Sequence, residues 1–565
     1  MAGIADTREM EGHGRAVPRA ISGGLGIWPH ALALLGLPLA AHLTFSSLGF
    51  NPTDDGFILA YSRRLLDGQV PHRDFISIRP VGSALLHAPW LLFGSHAFWV
   101  ARLAVWFEVA LIAWAWTRVV GQATGRPSGS REIVLGTLIA FVMTSFTFPI
   151  MPWHTVDAVA LASVGLLLGS SASGVRRALG YGLLGASALC RQNFLPVAPL
   201  AALVMGHRRD RGVGIAAIAP LALYGGYLVS TGALVPAWEQ MKSQAGLEAT
   251  GVRAYLAGPV AWGLIAGAVS ALLQGAWPGR DAAAARWRPL LGSLLPWGLV
   301  FGAASTMMNA TGEYIQVASF LLFGAALGRT LVVTARHGPA HPSSRIGWLA
   351  LVVAWCASLS IGLNSPALAA GPLATVLLAP AWDFGITWPT RARAAARLAA
   401  AAGVAAAFVV VWGTARQCVI YREGPATELT QPLDRVLPGG AGLRTNPQTF
   451  ALMSDLALAV DRTRGTHAVV ADFPAYWVKA AQRNPVSIDW AQSTELNTPA
   501  LKARVIGDLE ALRGHGCIVA QKVAAGPVAE GATPVAADDS YYFVLSYVRT
   551  HFRRTGGTRW FDVYE

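Results

Sequence analysis

The stretch GVGIAAIAPLALYGGYLVSTG, residues 212–232, decides the fold class, because it holds 21 consecutive residues without a single charge. A helix that crosses a bilayer needs about 20 mostly apolar residues. Similar runs recur along the chain, and each predicts a further membrane span. These runs cover residues 27–48, 98–120, 132–150, 155–173, 255–277, 289–309, 314–334, 346–364, 367–388 and 398–415.

The composition of the whole chain agrees with a multi-pass membrane protein. Of its 565 residues, 53% are hydrophobic and 13% are charged, whereas soluble domains carry about 25% charged residues. The mean hydropathy is +0.44. These values exclude a disordered chain, a collagen, a coiled coil and a small disulfide-rich scaffold.

The positions of the basic residues explain the net charge of +13. They cluster in every second loop, as at Arg208, Arg209 and Arg211 directly before the run at 212–232. The short loops between them, such as 309–313, contain no Lys or Arg. By the positive-inside rule the basic loops and the N-terminus are cytoplasmic. The excess charge therefore marks membrane orientation, and a nucleic-acid partner is not expected.

One apolar stretch, residues 178–206, is interrupted by Arg191 and Pro196. Each half is too short to span a bilayer alone, which predicts a hairpin of two short helices. Counting both halves gives about 11–13 transmembrane helices. The expected fold is an all-α polytopic membrane domain over residues 1–415, located in the cytoplasmic (inner or plasma) membrane.

With 13 membrane segments and a cytoplasmic N-terminus, the tail, residues 416–565, is expected outside the cytoplasm. Its composition is that of a soluble protein, with β-like runs at 467–471 and 517–520 and a helix-like run at 500–513. These patterns predict a small extracytoplasmic α/β domain. The tail also contains Cys418 and Cys517, which the sequence leaves either bridged or free.

The most informative segment is the outer loop between the first two spans, which begins NPTDDGFILAYSRRLLDG at residue 51. Its apolar residues recur at helical spacing, and Gly68 is placed to end the helix. The sequence thus predicts a short amphipathic helix in the membrane interface. Asp54 and Asp55 lie at its N-terminus, where the helix dipole favours an ionised carboxylate. Each is either a helix cap or a catalytic general base.

Further polar residues lie at the predicted outer edge of the membrane and are candidates for substrate binding. An ionisable residue at such a position marks a functional site by default, although anchoring and helix capping are the alternatives. Arg191 is the strongest of them, since a guanidinium at that depth calls for an anionic partner: Asp157, Asp54 or a ligand phosphate. The candidates are His72, Arg73, Asp74, Arg79, His154, Asp157 and Arg191.

The first outer loop resembles that of the GT-C membrane glycosyltransferases. The resemblance rests on Asp54-Asp55-Gly56, Tyr61, Arg63-Arg64-Leu65-Leu66, Gly68, Pro71 and Arg73-Asp74-Phe75. The nearest branch contains the protein O-mannosyltransferases and the lipid A aminoarabinose transferases. The likeness covers residues 1–210, continues only in general layout through the later spans, and does not extend to the tail.

The resemblance implies roles for individual residues. An acidic pair in that loop supplies the catalytic base in the family, and Asp54-Asp55 match it. A Lys-Pro pair that binds the donor phosphate is matched by Arg79-Pro80, with Arg in place of Lys. The acidic residue that opens a later span is matched by Asp157, and the basic residue of the split hairpin by Arg191.

The implied activity is an inverting transfer of a sugar from a polyprenyl-phosphate donor to a hydroxyl of a glycan, lipid or protein. It takes place on the outer face of the bilayer. No dedicated metal site is indicated, although His72 with Asp74 or His154 with Asp157 could supply ligands to a divalent ion. The alternatives are a transporter or lipid flippase and a non-enzymatic binding protein, neither of which explains the first outer loop.

Overall fold

The structure is a computed structural model that describes most of the chain. The described residues are 26–124, 130–146, 150–244, 247–256, 258–274, 282–308, 312–359, 364–381, 390–418, 420–463, 465–524 and 536–565. They form a predominantly helical protein with a small sheet near the C-terminus.

Helices dominate the chain as far as Cys418, and each apolar run predicted from the sequence carries one. They are α1 (Trp28–Ala31), α2 (Leu37–Phe45), α3 (Asp54–Leu66), α4 (Gly82–His87), α5 (Ala97–Ala123), α6 (Ser130–Ser145), α7 (His154–Gly169), α8 (Gly174–Cys190), α9 (Val197–Met205), α10 (Arg211–Ser230), α11 (Leu234–Lys242), α12 (Leu247–Ala254), α13 (Gly258–Gln274), α14 (Ala282–Met307), α15 (Gly312–His337), α16 (Pro342–Ser358), α17 (Ala370–Leu378) and α18 (Thr390–Cys418).

Three helical segments of the described chain are long and apolar enough to cross a membrane: Gly82–Ala123, Arg211–Ser230 and Tyr314–His337. Several shorter apolar helices accompany them, including His154–Gly169 and Gly258–Gln274. The chain is therefore a multi-pass membrane protein, while the number of spans and their orientation stay predictions.

Glycines let helices α13 and α15 pack backbone against backbone. A Cβ atom added at Gly267 would lie 1.9 Å from the carbonyl oxygen of Ala325, and one at Gly324 would lie 2.1 Å from that of Val260. Gly263 and Gly328 make equally close approaches. Small residues at a spacing of four are typical of helix contacts in membranes, which supports the assignment of both helices as spans.

The interrupted stretch at 178–206 is divided as the sequence predicts. Helix α8 ends at Cys190, Gln192–Phe194 form a 3₁₀ turn, and α9 begins at Val197. Helix α8 begins at Gly174, so its half is longer than the sequence suggested. The break places Arg191 at the junction, with an extended backbone (φ −153°, ψ 120°).

The C-terminal region, residues 420–565, contains both sheets. Its elements are β1 (Gln431–Pro432), β2 (Arg444–Thr445), α19 (Pro447–Asp461), β3 (Thr466–Val470), α20 (Pro474–Trp477), α21 (Pro499–Glu510), β4 (Gly516–Gln521), α22 (Phe543–His551), β5 (Arg554–Gly557) and β6 (Phe561–Tyr564). The four-stranded sheet has the order β3-β4-β6-β5, with β3 parallel to β4 and the other pairs antiparallel. The α/β character and the three predicted elements are confirmed. Cys418 and Cys517 are both free.

Helix α3 forms where the sequence predicts it, from Asp54 to Leu66, but the C-terminal region covers it. Gly56 is the point of closest approach, because a Cβ there would lie 2.0 Å from the backbone nitrogen of Ala475. The Ala475 amide also donates to the carbonyl of Pro52 (3.1 Å). An amphipathic helix in the membrane interface was expected, and this was wrong: every residue from Asp54 to Ser62 is buried. The polar face packs against protein instead of facing water.

Candidate active site

Asp54 lies at the first turn of α3 and is 3% exposed. Its Oδ2 accepts a hydrogen bond from the Tyr421 hydroxyl (2.7 Å) and forms an ion pair with Nη1 of Arg422 (3.0 Å). The side chain of Asn51 caps the helix, because its Oδ1 accepts from the backbone nitrogens of Thr53 and Asp54. Asp54 is thus free of the capping role.

Burial raises the pKa of Asp54, and the neighbouring Asp55 adds to this, while Arg422 and the Tyr421 hydrogen bond oppose it. Two further carboxyls nearby behave similarly. Burial raises the pKa of Asp472 to about 6 and that of Glu423 to about 7. Carboxylates near the N-terminal end of α3 are therefore held away from water.

Asp55, the next residue, faces a different environment. Its Oδ1 pairs with Arg102 (Nη2 at 2.7 Å, Nε at 3.3 Å), and its Oδ2 accepts from the backbone nitrogen of Asn51 (2.8 Å). Arg102 also donates to the carbonyls of Ser46, Leu48 and Gly49. Both oxygens of Asp55 are occupied by groups that fix the chain between α2 and α3.

Arg79 lies on the same side of α3 as Asp54. Its guanidinium is 5.4 Å from the centre of the Phe57 ring, one helical turn after Asp54, and its Nη1 is 2.8 Å from Oε1 of Glu495. The Phe57 ring also contacts Trp490 edge-on, with ring centres 4.5 Å apart, and His154, at 6.0 Å. Phe57 thus links the Arg79 guanidinium to the start of α7.

Arg191 is 5% exposed and reaches the start of α7. Its guanidinium donates to the hydroxyl of Thr155 and to the carbonyl of Leu359 (2.6 Å). His154 and Arg79 lie within electrostatic range of it. Within the part of the chain that the structure describes, Arg191 forms no ion pair, so neither Asp157 nor Asp54 is its anionic partner.

Asp157 lies in the first turn of α7 and contacts residues of α4 and α5. Its Oδ1 is 3.1 Å from Nε2 of His87, and Glu108 lies beside the pair. Within the described residues, Asp157 therefore pairs with His87 and forms no ion pair with Arg191.

His72, Arg73 and Asp74 contact a different part of the chain. The His72 ring bonds to Tyr224 (2.7 Å) and Gln240 (3.1 Å), and burial lowers its pKa to about 4, so the ring is neutral. Arg73 pairs with its neighbour Asp74 at the surface (2.8 Å). These contacts hold the loop after α3 against α10 and α11.

The C-terminal region supplies partners that the sequence did not reveal, namely Tyr421, Arg422, Asp472 and Glu495. Tyr421, Arg422 and Glu423 come shortly after α18, which ends at Cys418. A polar cluster at a membrane edge is a signal that could have identified them. No such signal marks Glu495, which is brought to Arg79 only by tertiary packing.

Comparisons with known proteins give little further guidance. No protein-family model and no curated protein matches the chain. The crystal structure of ArnT from Cupriavidus metallidurans bound to undecaprenyl phosphate is similar at 14% sequence identity, over 95% of this chain and 98% of that one, with a TM-score of 0.37. A TM-score below 0.5 does not establish a shared fold, and the functional assignment is built on the geometry of the site instead.

Proposed function

We propose that the protein is a membrane glycosyltransferase that moves a sugar from a polyprenyl-phosphate donor to a hydroxyl acceptor on the outer face of the membrane. The observation that carries this proposal is the pair of guanidinium groups, Arg79 and Arg191, which lie within electrostatic range of each other. Arg79 contacts the ring of Phe57, one helical turn after the buried carboxylate Asp54. The resemblance of the first outer loop to the GT-C glycosyltransferases supports the same activity.

The donor phosphate is expected to bind between Arg79 and Arg191. A buried guanidinium costs about 2.5–3.5 kcal/mol on insertion scales when it lies deep in a membrane. Among the described residues, the recorded hydrogen-bond partners of the Arg191 guanidinium are a hydroxyl and a carbonyl, so a phosphate would offset that cost. Charge-assisted hydrogen bonds from a guanidinium to phosphate are also among the strongest in proteins. The same contacts stabilise the charge that develops on the leaving group.

Asp54 is the better placed of the two aspartates to act as general base. Both contacts of its carboxylate fall on Oδ2, and within the described residues nothing donates to Oδ1. Its raised pKa brings the carboxylate closer to the range in which a base is effective near neutral pH. Asp55, by contrast, uses both oxygens to hold Arg102 and the backbone.

The reaction follows as a single displacement. The acceptor hydroxyl attacks the anomeric carbon, the bond from that carbon to the phosphate oxygen breaks, and polyprenyl phosphate leaves. The proton of the hydroxyl goes to Asp54, and the configuration at the anomeric carbon is inverted.

Two of the proposed site residues form ion pairs within the protein. Asp54 is neutralised by Arg422, and Arg79 by Glu495; both partners come from the C-terminal region. Substrate binding would exchange these internal ion pairs for contacts with the donor and the acceptor.

A binding experiment tests the donor site whatever the sugar is, because the probe is the lipid phosphate alone. Purified protein is titrated with undecaprenyl phosphate, and Arg191→Gln is compared with wild type and with Arg73→Gln as a surface control. We expect the Arg191→Gln variant to bind at least about tenfold more weakly, since a hydrogen bond to a charged group contributes about 1.5–3 kcal/mol. Equal affinity in all three proteins would refute the phosphate site.

A transfer experiment tests the base. Radiolabelled undecaprenyl-phosphate mannose, glucose, galactose and arabinose are offered to membranes that contain the protein, and labelled product is measured. Asp54→Asn should remove product formation, while Asp67→Asn, a carboxylate in the same loop, should retain it. Full activity of Asp54→Asn would contradict the mechanism. Movement of labelled lipid across vesicles without any covalent product would favour the flippase alternative.

A further inference from the structure

A buried cluster of three ligand-type side chains lies behind the proposed site and takes no part in it. It joins His87 at the end of α4, Glu108 in the middle of α5 and Asp157 in the first turn of α7. Each residue offers one ligand atom, and these atoms lie within 4.8 Å of one another. The Nε2 of His87 is 3.1 Å from Asp157 Oδ1 and 3.8 Å from Glu108 Oε1.

The cluster holds two carboxylates without a fixed cation. The side chains of His87 and Asp157 are 1% and 0% exposed, and that of Glu108 is 19% exposed. Among the described residues, neither carboxylate pairs with Lys or Arg. Buried charges in proteins are paired or coordinate a metal, so this cluster lacks a positive group.

Unsatisfied hydrogen-bonding atoms point the same way. His87 Nδ1, Glu108 Oε2 and Asp157 Oδ2 are buried and have no hydrogen-bond partner within the described chain. Most buried polar side-chain atoms in folded proteins do have one. The two carboxylate oxygens in this small cluster indicate that a bound species completes it; His87 Nδ1 lies across the ring from Nε2 and would not contact the same ion.

We propose that His87, Glu108 and Asp157 bind one divalent transition-metal ion of the zinc class. Tetrahedral Zn²⁺ has bonds of about 2.0–2.2 Å to nitrogen and oxygen, which places neighbouring ligand atoms about 3.3–3.6 Å apart. The distances of 3.1 and 3.8 Å at His87 bracket that value. An imidazole beside two carboxylates suits zinc or manganese better than the all-oxygen sites typical of Mg²⁺ and Ca²⁺.

The position of the ion suggests what it does. It would tie α4, α5 and α7 together directly behind Thr155, which holds Arg191, and behind the Arg79-Pro80 turn that leads into α4. His87, Glu108 and Asp157 are therefore structural ligands in this proposal, and they do not touch the reacting atoms. The metal site and the proposed transferase activity stand or fall separately.

The metal content of the purified full-length protein tests the proposal. The protein is stripped with a chelator in detergent and reloaded with Zn²⁺ or Co²⁺, and bound metal is counted by mass spectrometry. We expect one ion per chain and the visible absorption bands of tetrahedral Co²⁺. His87→Gln and Asp157→Asn should weaken metal affinity by roughly 100-fold or more.

His42→Gln is the matched control, because His42 is also buried in an apolar helix, where its ring bonds to Ser46 and packs on Trp99, and it lies outside the cluster. It should retain the metal. If the cluster variants fail to fold, the wild-type protein still decides: a chelator should lower its thermal unfolding midpoint and Zn²⁺ should restore it. The proposal is overturned if wild type binds less than one ion of Zn²⁺, Co²⁺ or Mn²⁺. That outcome would mean that the two carboxyls share a proton instead.

Discussion

Two arginines with the same exposed fraction differ in the kind of partner that their guanidinium groups contact. Arg102 and Arg191 are each 5% exposed. Arg102 pairs with Asp55 and donates to three backbone carbonyls that surround it. Within the described part of the chain, the Arg191 guanidinium donates to the Thr155 hydroxyl and the Leu359 carbonyl. The first guanidinium has a carboxylate partner, and the second has none among the residues that the structure describes.

The comparison separates a structural charge from one that faces a ligand. A buried ion pair with its hydrogen bonds satisfied belongs to the scaffold, and here it fixes the turn between α2 and α3. A buried cation without an anion is unstable unless something supplies the missing charge. The same contrast divides the neighbouring aspartates, since Asp55 is held by Arg102 and Asp54 meets the more exposed Arg422.

The largest expected effect comes from removing the guanidinium of the complete pair. Arg102→Met leaves Asp55 buried without a partner, and breaking such a pair destabilises a protein by about 3–5 kcal/mol. Arg191→Met removes an uncompensated charge and should leave stability unchanged or slightly higher. Thermal unfolding of both variants in detergent measures the difference. Equal losses of stability would show that the two arginines play the same role.

Glu423 lies within electrostatic range of Asp55, the partner of Arg102. Its carboxylate accepts from the Phe50 amide (3.1 Å) and from Asn446. Burial raises its pKa from 4.5 to about 7. The folded state therefore binds the proton more tightly, and stability should fall as the pH rises from about 4.5 to about 7, by about 3 kcal/mol. Glu423→Gln should flatten this part of the unfolding profile, whereas Glu428→Gln should not. An unchanged profile in Glu423→Gln would contradict the assignment.

Gly56 tests how the C-terminal region is seated on the site. A Cβ at this position would overlap the backbone nitrogen of Ala475, and backbone cannot move aside as a flexible side chain does. Gly56→Ala should cost about 1–3 kcal/mol, as overpacking does, and should expose the C-terminal region to proteolysis. Gly68→Ala serves as a control for substitution itself: nothing lies within 4 Å of an added Cβ there, although its φ of 78° adds some backbone strain. Similar protease resistance in Gly56→Ala and wild type would refute the close seating.

The sequence predicted what depends on local pattern. Helix α3 was expected from apolar spacing and from Gly68, the break at Arg191 from its polar neighbours, and β3 and β4 from apolar runs.

The sequence did not predict which of Asp54 and Asp55 faces the site, because adjacent residues point to different sides of a helix and the choice depends on what packs there. Tyr421, Arg422 and Glu495 were missed for a related reason, since they reach the first outer loop from hundreds of residues away. The same holds for Asp157, which was expected beside Arg191 but faces His87 instead.

The smallest expected effect concerns the half of the proposed phosphate site that the protein does neutralise. Glu495 is 1% exposed and its Oε1 pairs with Arg79, whereas Arg191 has no such carboxylate among the described residues. A donor phosphate would have to compete with this carboxylate for Arg79. Glu495→Gln removes the competing charge and keeps the size of the side chain, so undecaprenyl phosphate should bind several-fold more tightly, in line with about 1 kcal/mol for a partly exposed ion pair. The same substitution in an Arg79→Gln background should have no effect on binding, because the two side chains act as one pair. Weaker binding in Glu495→Gln would mean that Glu495 positions Arg79 for the phosphate rather than competing with it.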